Sequence, residues 1–268
     1  MSAYTDKVCV VTGAGSGIGR ALATQLASAG ARLALSDIDK QGLEATRELL
    51  PETADVRTYE LDVSSNEAVL AHADEVLADF GSAHYLFNNA GVTLAATIEH
   101  ATIDEFDWLL GINLWGPIYG TKAFLPAMLR QGEGHVVNFS SVFGFVTVPT
   151  QSAYHVSKFG IRGFTECLSR ELAGTGVHAT SVHPGGIATN IGAGARFGKN
   201  ADTSERRFMN TLATWLRTSA DDCAAAILEG VEARKRRIIV GYGSRQLDWL
   251  SRLLPTHYGT VLHRLRGT

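Results

Sequence analysis

The chain has 268 residues, of which 45% are hydrophobic and 19% are charged, and its formal net charge is -3. This length is sufficient for one substantial hydrophobic core and is ordinary for a single α/β domain. The slightly negative charge argues against nucleic acid or an anionic membrane as the main partner.

Short β-rich apolar runs alternate with longer helical patterns along the whole chain. Such alternation predicts parallel strands joined by crossover helices on both faces, a doubly wound α/β sheet. Neither an internal repeat nor a proline- and serine-rich linker divides the sequence, so a single domain over residues 1–268 is expected. The predicted strands lie near residues 8–12, 32–36, 56–61, 85–88, 135–140, 177–183 and 237–240.

A glycine-rich turn follows the first apolar run. The segment 12–19 reads T-G-A-G-S-G-I-G and leads directly into a helical pattern that begins at Arg20. Bare backbone between a buried strand and a helix lets phosphate approach the N–H groups of the helix start. The spacing is G-x-x-x-G-x-G. We expect a dinucleotide pyrophosphate to contact Gly13, Ser16, Gly17, Ile18 and Gly19.

The second strand ends at Asp37, twenty residues beyond Gly17. An acidic group at this place accepts hydrogen bonds from the adenosine ribose. A carboxylate suits free ribose hydroxyls and repels a 2′-phosphate, and Ile38 supplies no compensating cation. The sequence therefore favours NAD, while Arg20 and Lys40 are close enough to keep NADP open.

A tyrosine and a lysine, Tyr154 and Lys158, stand four residues apart in a helical pattern. Side chains at i and i+4 share one helix face. The lysine charge is expected to stabilise a phenolate and to lower the tyrosine pKa from about 10 towards the range of a general acid/base. Ser141 lies thirteen residues upstream, at the end of an apolar run.

Taken together, these motifs resemble the ordered motif set of the short-chain dehydrogenase/reductase family. The resemblance runs from about Lys7 to Thr189. It implies a Rossmann-type fold of about seven strands and a reversible hydride transfer between a nicotinamide and an alcohol or carbonyl, and it leaves the substrate open. The matching positions are T-G-x-x-x-G-I-G, Asn88-Asn89-Ala90-Gly91, Asn113, Ser141, Tyr154, Lys158 and Pro184-Gly185-Gly186-Ile187-Ala188-Thr189.

The resemblance implies a catalytic role for four residues. Tyr154 would exchange the proton with the substrate oxygen, and Lys158 would lower its pKa and bind the nicotinamide ribose. Ser141 would hold the substrate oxygen, and Asn113 would anchor a water that links Lys158 to solvent. Ser140 lies one residue off, on the other face of the strand, so Ser141 is favoured.

The remaining family motifs imply further cofactor contacts. Asp62 and Val63, at the end of the third strand, would meet the adenine. The competing explanation for Asp62 is a helix N-cap. Contacts to the adenosine ribose and the nicotinamide would come from Asn89, Ala90, Gly91, Pro184, Gly185, Ile187 and Thr189.

Residues from about 187 to 216 interrupt the strand and helix alternation. In the family this interval resembles the mobile lid over the substrate, and its glycines suit hinges. The alternative is a surface loop with one amphipathic helix packed on the core. The features are Gly192, Gly194 and Gly198, followed by Arg206, Arg207, Phe208, Met209, Leu212, Trp215 and Leu216 at helical spacing. A C-terminal extension, about 244–268, is amphipathic and is expected to cover the pocket or a subunit interface.

Apolar residues near Ser141 and in the lid favour a bulky, uncharged secondary alcohol or its ketone as substrate. The alternative is that these side chains are core. They are Thr93, Leu94, Val142, Phe143, Phe145, Val146, Val148, Phe197, Phe208, Met209 and Trp215. Two other functions stay open. The first is a ketoreductase that acts on acyl thioesters of coenzyme A or an acyl carrier, which the basic run 234–237 suggests. The second is a non-catalytic cofactor-binding regulator.

Several observations concern partners and location. The resemblance implies a homo-oligomer, a tetramer or dimer, whose long helices pack across two-fold axes. Cys9, Cys167 and Cys223 lack disulfide or zinc spacing, so no metal is expected. His155 and His183 are expected to be packing residues. The N-terminus has no apolar signal region, and no run of about 18 apolar residues occurs, so a soluble cytoplasmic protein is predicted.

Overall fold

A computed structural model of the chain describes residues 2–189 and 195–265. Within these residues a seven-stranded parallel sheet forms the centre of the molecule, in the order β11-β7-β6-β4-β1-β2-β3. Every predicted strand is present, which confirms the doubly wound α/β fold. The strands are β1 (Val8–Thr12), β2 (Arg32–Asp37), β3 (Val56–Glu60), β4 (Tyr85–Asn88), β6 (Gly134–Phe139), β7 (Val177–Pro184) and β11 (Arg237–Val240).

Helices cover both faces of this sheet, and alternate strand residues pack against each layer. Val11 and Leu35 share a core cluster with Leu22 and Ile227, whereas Val10 belongs to a cluster on the opposite face. Period-two alternation with both faces buried is the pattern of a parallel sheet between two helical layers. The helices are α1 (Gly17–Ser28), α2 (Lys40–Arg47), α3 (Asn66–Phe80), α4 (Ile103–Leu110), α5 (Gly116–Gln131), α6 (Ser152–Glu171), α7 (Thr203–Ala213), α8 (Ala220–Glu232), α9 (Ser244–Leu253) and α10 (Tyr258–Leu265).

The strand order reverses at β1, which pairs with β2 on one side and β4 on the other. In open parallel sheets ligands bind at such a switch point, outside the carboxyl ends of the strands. Asp37, Asn88 and Pro184 are the last residues of their strands, and Ser141 follows β6 closely. The fold thus gathers the predicted site residues along one edge.

Two short parallel pairs lie outside the main sheet, and the sequence did not indicate them. β5 (Leu94–Ala95) pairs with β9 (Arg196–Phe197), and β8 (Ile187–Ala188) pairs with β10 (Thr218–Ser219). Strands of two residues leave no periodic signal. The β8–β10 pair joins the two ends of the predicted lid to each other, and the β5–β9 pair holds its middle against the segment after β4.

The predicted lid and C-terminal extension differ in detail from expectation. Helix α7 ends at Ala213, so Trp215 and Leu216 follow the helix instead of continuing it. Gly192 and Gly194 lie outside the described residues, as do the side chains of Phe208 and Leu212. The extension forms α9 and α10. Among the described residues, no helix combines the length and the apolar character that crossing a bilayer requires.

Candidate active site

The glycine turn between β1 and α1 is compact enough to require glycine. Gly13 has φ of 67°, and a Cβ added there would lie 2.7 Å from the Cα of Ala90. Only glycine adopts this backbone without strain. A Cβ at Gly17, where φ is 51°, would lie 3.3 Å from the Cβ of Thr189. The turn therefore touches two segments that the sequence assigned to the cofactor.

The start of α1 presents backbone N–H groups without a competing side chain. Ser16 is the N-cap residue, its hydroxyl makes no capping hydrogen bond, and no acidic residue lies in the first turn. Uncapped first-turn amides bind anions through their N–H groups and the helix dipole. The protein groups at this place fit the pyrophosphate of a dinucleotide.

Asn89 ties the end of β4 to the glycine turn. Its amide Nδ2 donates to the carbonyls of Thr12 at 3.0 Å and Gly13 at 3.2 Å. The Thr12 hydroxyl in turn accepts from the backbone N–H groups of Asn89 and Ala90, both at 3.1 Å. Thr12 was not singled out from the sequence, although it stands first in the glycine motif.

Asp37 is directed at the glycine turn. Its Oδ2 accepts from the N–H of Gly15 at 2.8 Å, and its Oδ1 accepts from the N–H of Asp39 at 3.0 Å. The guanidinium of Arg20 is held by the carbonyl of Gly15 and by the hydroxyl of Thr46, the latter at 3.0 Å. Arg20 is therefore engaged in fastening α1 and α2 together.

Asp62 forms a turn at the end of β3 and does not cap a helix. Its Oδ1 accepts from both the backbone N–H and the hydroxyl of Ser64, at 2.9 and 2.7 Å. The N-cap of α3 is Ser65, whose hydroxyl accepts from the N–H of Ala68. The N-cap alternative for Asp62 is wrong because the helix begins one turn later. Its exposed carboxylate stands at the carboxyl edge of the sheet, beside Val63.

Ser141, Tyr154 and Lys158 meet where β6 and α6 adjoin. The Ser141 side chain is near enough to the Tyr154 phenol to lower its pKa, and its hydroxyl donates to the carbonyl of Pro184 at 3.4 Å. The Nζ of Lys158 donates to the carbonyl of Phe139 at 2.9 Å and lies 5.3 Å from the centre of the Tyr154 ring. The Ser140 hydroxyl points the other way and donates to the carbonyl of Lys158 at 2.7 Å.

The expected lowering of the tyrosine pKa is wrong for these protein groups alone. Desolvation raises the pKa of Tyr154 to about 12, and the polar side chain of Ser141 offsets this only in part. Desolvation also lowers the pKa of Lys158 to about 8. The lysine Nζ bonds a backbone carbonyl and not the phenol oxygen, so burial dominates both groups.

Asn113 lies at the point where α4 passes into α5 through a π-helical turn, Gly111–Trp115. It is fully buried, and its amide donates to and accepts from the backbone of Val92, both at 2.8 Å. A Cβ at Gly91 would lie 3.3 Å from Asn113 Oδ1 and 3.6 Å from Lys158 Nζ. Single π-helical turns are frequent at functional sites, and here the turn brings Asn113 beside the space next to Lys158.

The segment Pro184–Thr189 closes the opposite side of the site. Pro184 accepts a hydrogen bond from Ser141 through its carbonyl at 3.4 Å. Gly185 leaves no room for a side chain, since a Cβ there would lie 2.5 Å from the Oγ of Ser244. Ile187 is buried, and Thr189 faces Gly17. The structure thereby brings the Ser141 region and the glycine turn to either end of one segment.

His155 and His183 are packing residues, as expected. His183 shares hydrogen bonds with the Ser141 carbonyl and the Ser181 hydroxyl, both at 3.0 Å, and burial lowers its pKa to about 4. His155 bonds the carbonyl of Phe143 through Nδ1 at 3.0 Å and the backbone of Val148 through Nε2. Both rings hold the backbone on either side of Ser141.

Much of the expected substrate wall is core. Val142, Phe145 and Val146 are buried in one cluster with Leu247 and Tyr258, and Thr93, Leu94 and Val148 are also buried. Phe143 packs edge-on against the Tyr154 ring, with the ring centroids 6.2 Å apart. For most of these side chains the core interpretation is correct.

A buried network of side-chain amides connects the elements that carry the site, and it was not predicted from the sequence. Asn88 Nδ2 donates to Asn138 Oδ1 at 2.8 Å, and Asn138 Nδ2 donates to the hydroxyl of Thr165 at 3.0 Å. It joins β4, β6 and α6, the three elements that carry the site. The only signal was an asparagine at corresponding places in two apolar strands.

Two buried glutamates fasten the predicted lid to the loop after β5. Glu205 accepts from the N–H of Thr97 at 2.7 Å and bonds His100 at 3.0 Å. Glu105 accepts from the N–H of Lys199 at 2.7 Å. Ligand-type atoms of His100, Asp202 and Glu205 lie within 4.8 Å of one another. The oxygens of Glu205 are already bonded to N–H groups, so the cluster serves as an anchor.

The chain resembles known proteins along most of its length. The profile of the short chain dehydrogenase family matches residues 7–200. The chain is 43% identical over 263 residues to the putative oxidoreductase SadH of Mycobacterium tuberculosis, across 96% of this chain and 94% of that relative.

Solved structures of this family share the fold. A short-chain dehydrogenase/reductase from Burkholderia phymatum, in complex with NAD, has a TM-score of 0.83 at 33% identity, covering 89% of this chain and 90% of that chain. A metagenomic short-chain oxidoreductase in complex with NADP has a TM-score of 0.73 at 29% identity, covering 89% of this chain and 98% of that one. The family profile, over residues 7–200, spans the residues of the site described above.

Proposed function

The chain is an oxidoreductase of the short-chain dehydrogenase/reductase family, as the motifs indicated, and we propose that it transfers a hydride reversibly between NAD and a bulky apolar secondary alcohol or its ketone. The observation that carries the proposal is the cluster of Ser141, Tyr154 and Lys158 at the edge of the sheet where the glycine turn begins α1. A proton donor and an anion-binding helix start at one edge are what alcohol and carbonyl chemistry with a dinucleotide requires.

Each polar group has a role in this reaction. When bound, the nicotinamide supplies or accepts the hydride. Tyr154 gives a proton to the carbonyl oxygen during reduction and takes it back during oxidation. Ser141 holds that oxygen where negative charge develops. Lys158 bonds the nicotinamide ribose, and Asn113 and Gly91 border the route by which the proton is replaced.

A positive charge close to the phenol is needed for Tyr154 to work near neutral pH, because burial alone holds its pKa at about 12. The ammonium of Lys158 lies over the tyrosine ring and retains a proton below a pKa of about 8. We infer that Lys158 would hold the nicotinamide ribose in the loaded enzyme and that its ammonium would supply the positive charge near the phenol. The phenolate would then be stabilised in the loaded enzyme.

NAD is preferred in this proposal because of Asp37. Its carboxylate is fixed against the glycine turn, and Arg20 is engaged by the Gly15 carbonyl and by Thr46. A 2′-phosphate would therefore meet a negative charge without a mobile arginine to neutralise it. Lys40, exposed at the start of α2, is the remaining nearby cation.

An apolar substrate is proposed from the surroundings of the reacting groups. Phe143 packs on the Tyr154 ring, and the partly exposed Met209 of α7 contacts the amide of Gln151, three residues before Tyr154. A thioester substrate has less support, because Arg237 of the basic run is paired with Asp248 at 2.7 Å.

A homo-oligomer is proposed from exposed apolar side chains on the long helices. Trp115, Val156 and Phe159 are 49%, 51% and 41% exposed, and the last two lie on α6, the helix that bears Tyr154. Large apolar side chains on neighbouring helices mark subunit contacts. Sedimentation of the purified chain tests this: a monomer at micromolar concentration would contradict it.

A panel of bulky aryl and cyclic ketones, followed by NADH and NADPH oxidation side by side, tests the proposed reaction. We expect turnover with NADH and a preference for NADH over NADPH. A clear NADPH preference would refute the Asp37 argument. Turnover of coenzyme A or acyl-carrier ketones alone would favour the thioester function, and tight NADH binding with turnover of neither class would favour a regulator.

A further inference from the structure

The loop of residues 142–148, here called the post-serine loop, joins Ser141 to the segment that begins the Tyr154 helix. Its position bears directly on the site because Phe143 lies edge-on against the Tyr154 ring at 6.2 Å. Any displacement of the loop therefore changes the wall beside the reacting oxygen.

The inner side of the post-serine loop is held by α6. His155 bonds the carbonyl of Phe143 at 3.0 Å and the N–H of Val148 at 2.9 Å, which spans the loop. Arg162 donates to the carbonyl of Gly144 at 3.2 Å. These contacts come from the catalytic helix itself.

The outer side is held by the C-terminal extension, which lies beyond the residues that the family profile matches. The hydroxyl of Tyr258 accepts from the N–H of Thr147 at 3.0 Å and shares a hydrogen bond of 2.8 Å with the Thr147 hydroxyl. Leu247 and the Tyr258 ring pack against the buried cluster that includes Val146. A contact across 111 residues thus closes the loop from outside.

We propose that Tyr258 is a positioning residue for substrate selection: it clamps Thr147 and so fixes the wall that the post-serine loop presents beside Tyr154. The inference rests on the proposed reaction for its kinetic consequence. The Tyr258 hydroxyl bonds Thr147 and acts on the site only through the loop, so it sets the fit of a bulky substituent and leaves the proton transfer unchanged.

Tyr258→Phe tests the clamp because it removes one oxygen and keeps the ring in the apolar cluster. The variant loses both hydrogen bonds to Thr147, so we expect the KM for a bulky aryl ketone to rise at least about fivefold, the factor that corresponds to one neutral hydrogen bond. The KM for a small aliphatic ketone, the kcat for both and the Kd for NADH should change less than about twofold. A merely structural role would lower the melting temperature and leave the ratio of the two KM values unchanged.

Tyr242→Phe is the matched control. Tyr242 is an exposed tyrosine that precedes α9, and its ring, under the guanidinium of Arg217, is retained in phenylalanine. This variant should behave as wild type. Thr147→Val removes one of the two hydrogen bonds to Tyr258, so adding it to Tyr258→Phe should cause no further loss. Additive losses would overturn the proposal.

Hydrogen exchange of the amides of residues 142–148 measures how firmly Tyr258 holds the post-serine loop, and it needs no substrate. We expect faster exchange of the Thr147 amide in Tyr258→Phe than in Tyr242→Phe. Equal exchange rates in the two variants overturn the inference, even if the wild-type chain reduces no ketone. If exchange is faster in Tyr258→Phe but the wild-type chain reduces no ketone, only the proposed reaction is refuted. Faster exchange with an unchanged KM ratio also overturns the role in selection.

Discussion

Replacing Lys158 by methionine should make the protein more stable at neutral pH while abolishing turnover. Lys158 is 4% exposed, and the carbonyl of Phe139 is the hydrogen-bond acceptor of its ammonium. No carboxylate pairs with it in residues 2–189 and 195–265. An unpaired buried charge is destabilising, and methionine fills a similar volume without one.

The magnitude follows from the lysine pKa. Burial lowers it from 10.5 to about 8, and the difference corresponds to roughly 3 kcal/mol of destabilisation at neutral pH. Loss of the charged hydrogen bond to Phe139 removes about 1–2 kcal/mol of this gain. We therefore expect Lys158→Met to raise the free energy of unfolding by roughly 1–2 kcal/mol at about pH 7.

The stability advantage of Lys158→Met over wild type should depend on pH. The folded pKa lies below the unfolded one, so the penalty is complete below about 8 and disappears as the pH rises to 10.5. The advantage of the variant should shrink by roughly 2 kcal/mol between about pH 7 and pH 9.5. Urea unfolding followed by tryptophan fluorescence at both pH values measures it.

Lys235→Met is the matched control, because Lys235 is exposed. Its effect should stay within about 0.5 kcal/mol and should not depend on pH in this range. If Lys158→Met is less stable than wild type at neutral pH, or if the difference between the two proteins does not change with pH, the assignment of Lys158 as an unpaired buried charge is refuted.

Three other substitutions test separate parts of the account. Asp37→Ala should shift the ratio of NADPH to NADH turnover on the order of tenfold towards NADPH, and an unchanged ratio would show that the carboxylate does not discriminate. Asn138→Ala should lower the free energy of unfolding by about 2–3 kcal/mol in urea, since Asn88 loses its buried partner. The Glu205 pKa is lowered, because burial raises it less than the hydrogen bonds lower it, and the His100 pKa is raised, chiefly by its bond to Glu205. The ion pair between Glu205 and His100 therefore weakens as the pH falls below 4.5 and as it rises above 6.5. Limited proteolysis near residue 200 should be slowest between these two pH values. Glu205→Gln should remove this pH dependence.

The strands of the parallel sheet and the glycine turn could be predicted from the sequence because both leave local signals. Buried strands appear as apolar runs, and a parallel sheet gathers their carboxyl ends at one edge. The turn at Gly13–Gly19 can be recognised in the sequence because the backbone approaches other segments so closely that its key positions must be glycine. The i, i+4 spacing of Tyr154 and Lys158 required only that the segment be helical, and it lies in α6.

The features that the sequence did not reveal depend on tertiary contacts. The π-helical turn at Asn113 interrupts one continuous helical pattern, and the Asn113 amide in it bonds the backbone of Val92, which is distant in sequence. The pairing of Asn88 with Asn138 joins residues 50 apart. The predicted direction of the Tyr154 pKa shift was wrong because the i, i+4 spacing indicates only that Lys158 is near. The spacing does not indicate that both groups are desolvated.

The role of Tyr154 is tested most directly by Tyr154→Phe, which removes the phenol oxygen and leaves the ring beside Phe143. NADH binding, measured by fluorescence titration, should match wild type within about twofold, while ketone reduction with NADH should fall at least a hundredfold, the lower range for loss of a general acid. Retention of turnover in a variant that binds NADH normally would contradict the account, because the proton would then come from another group.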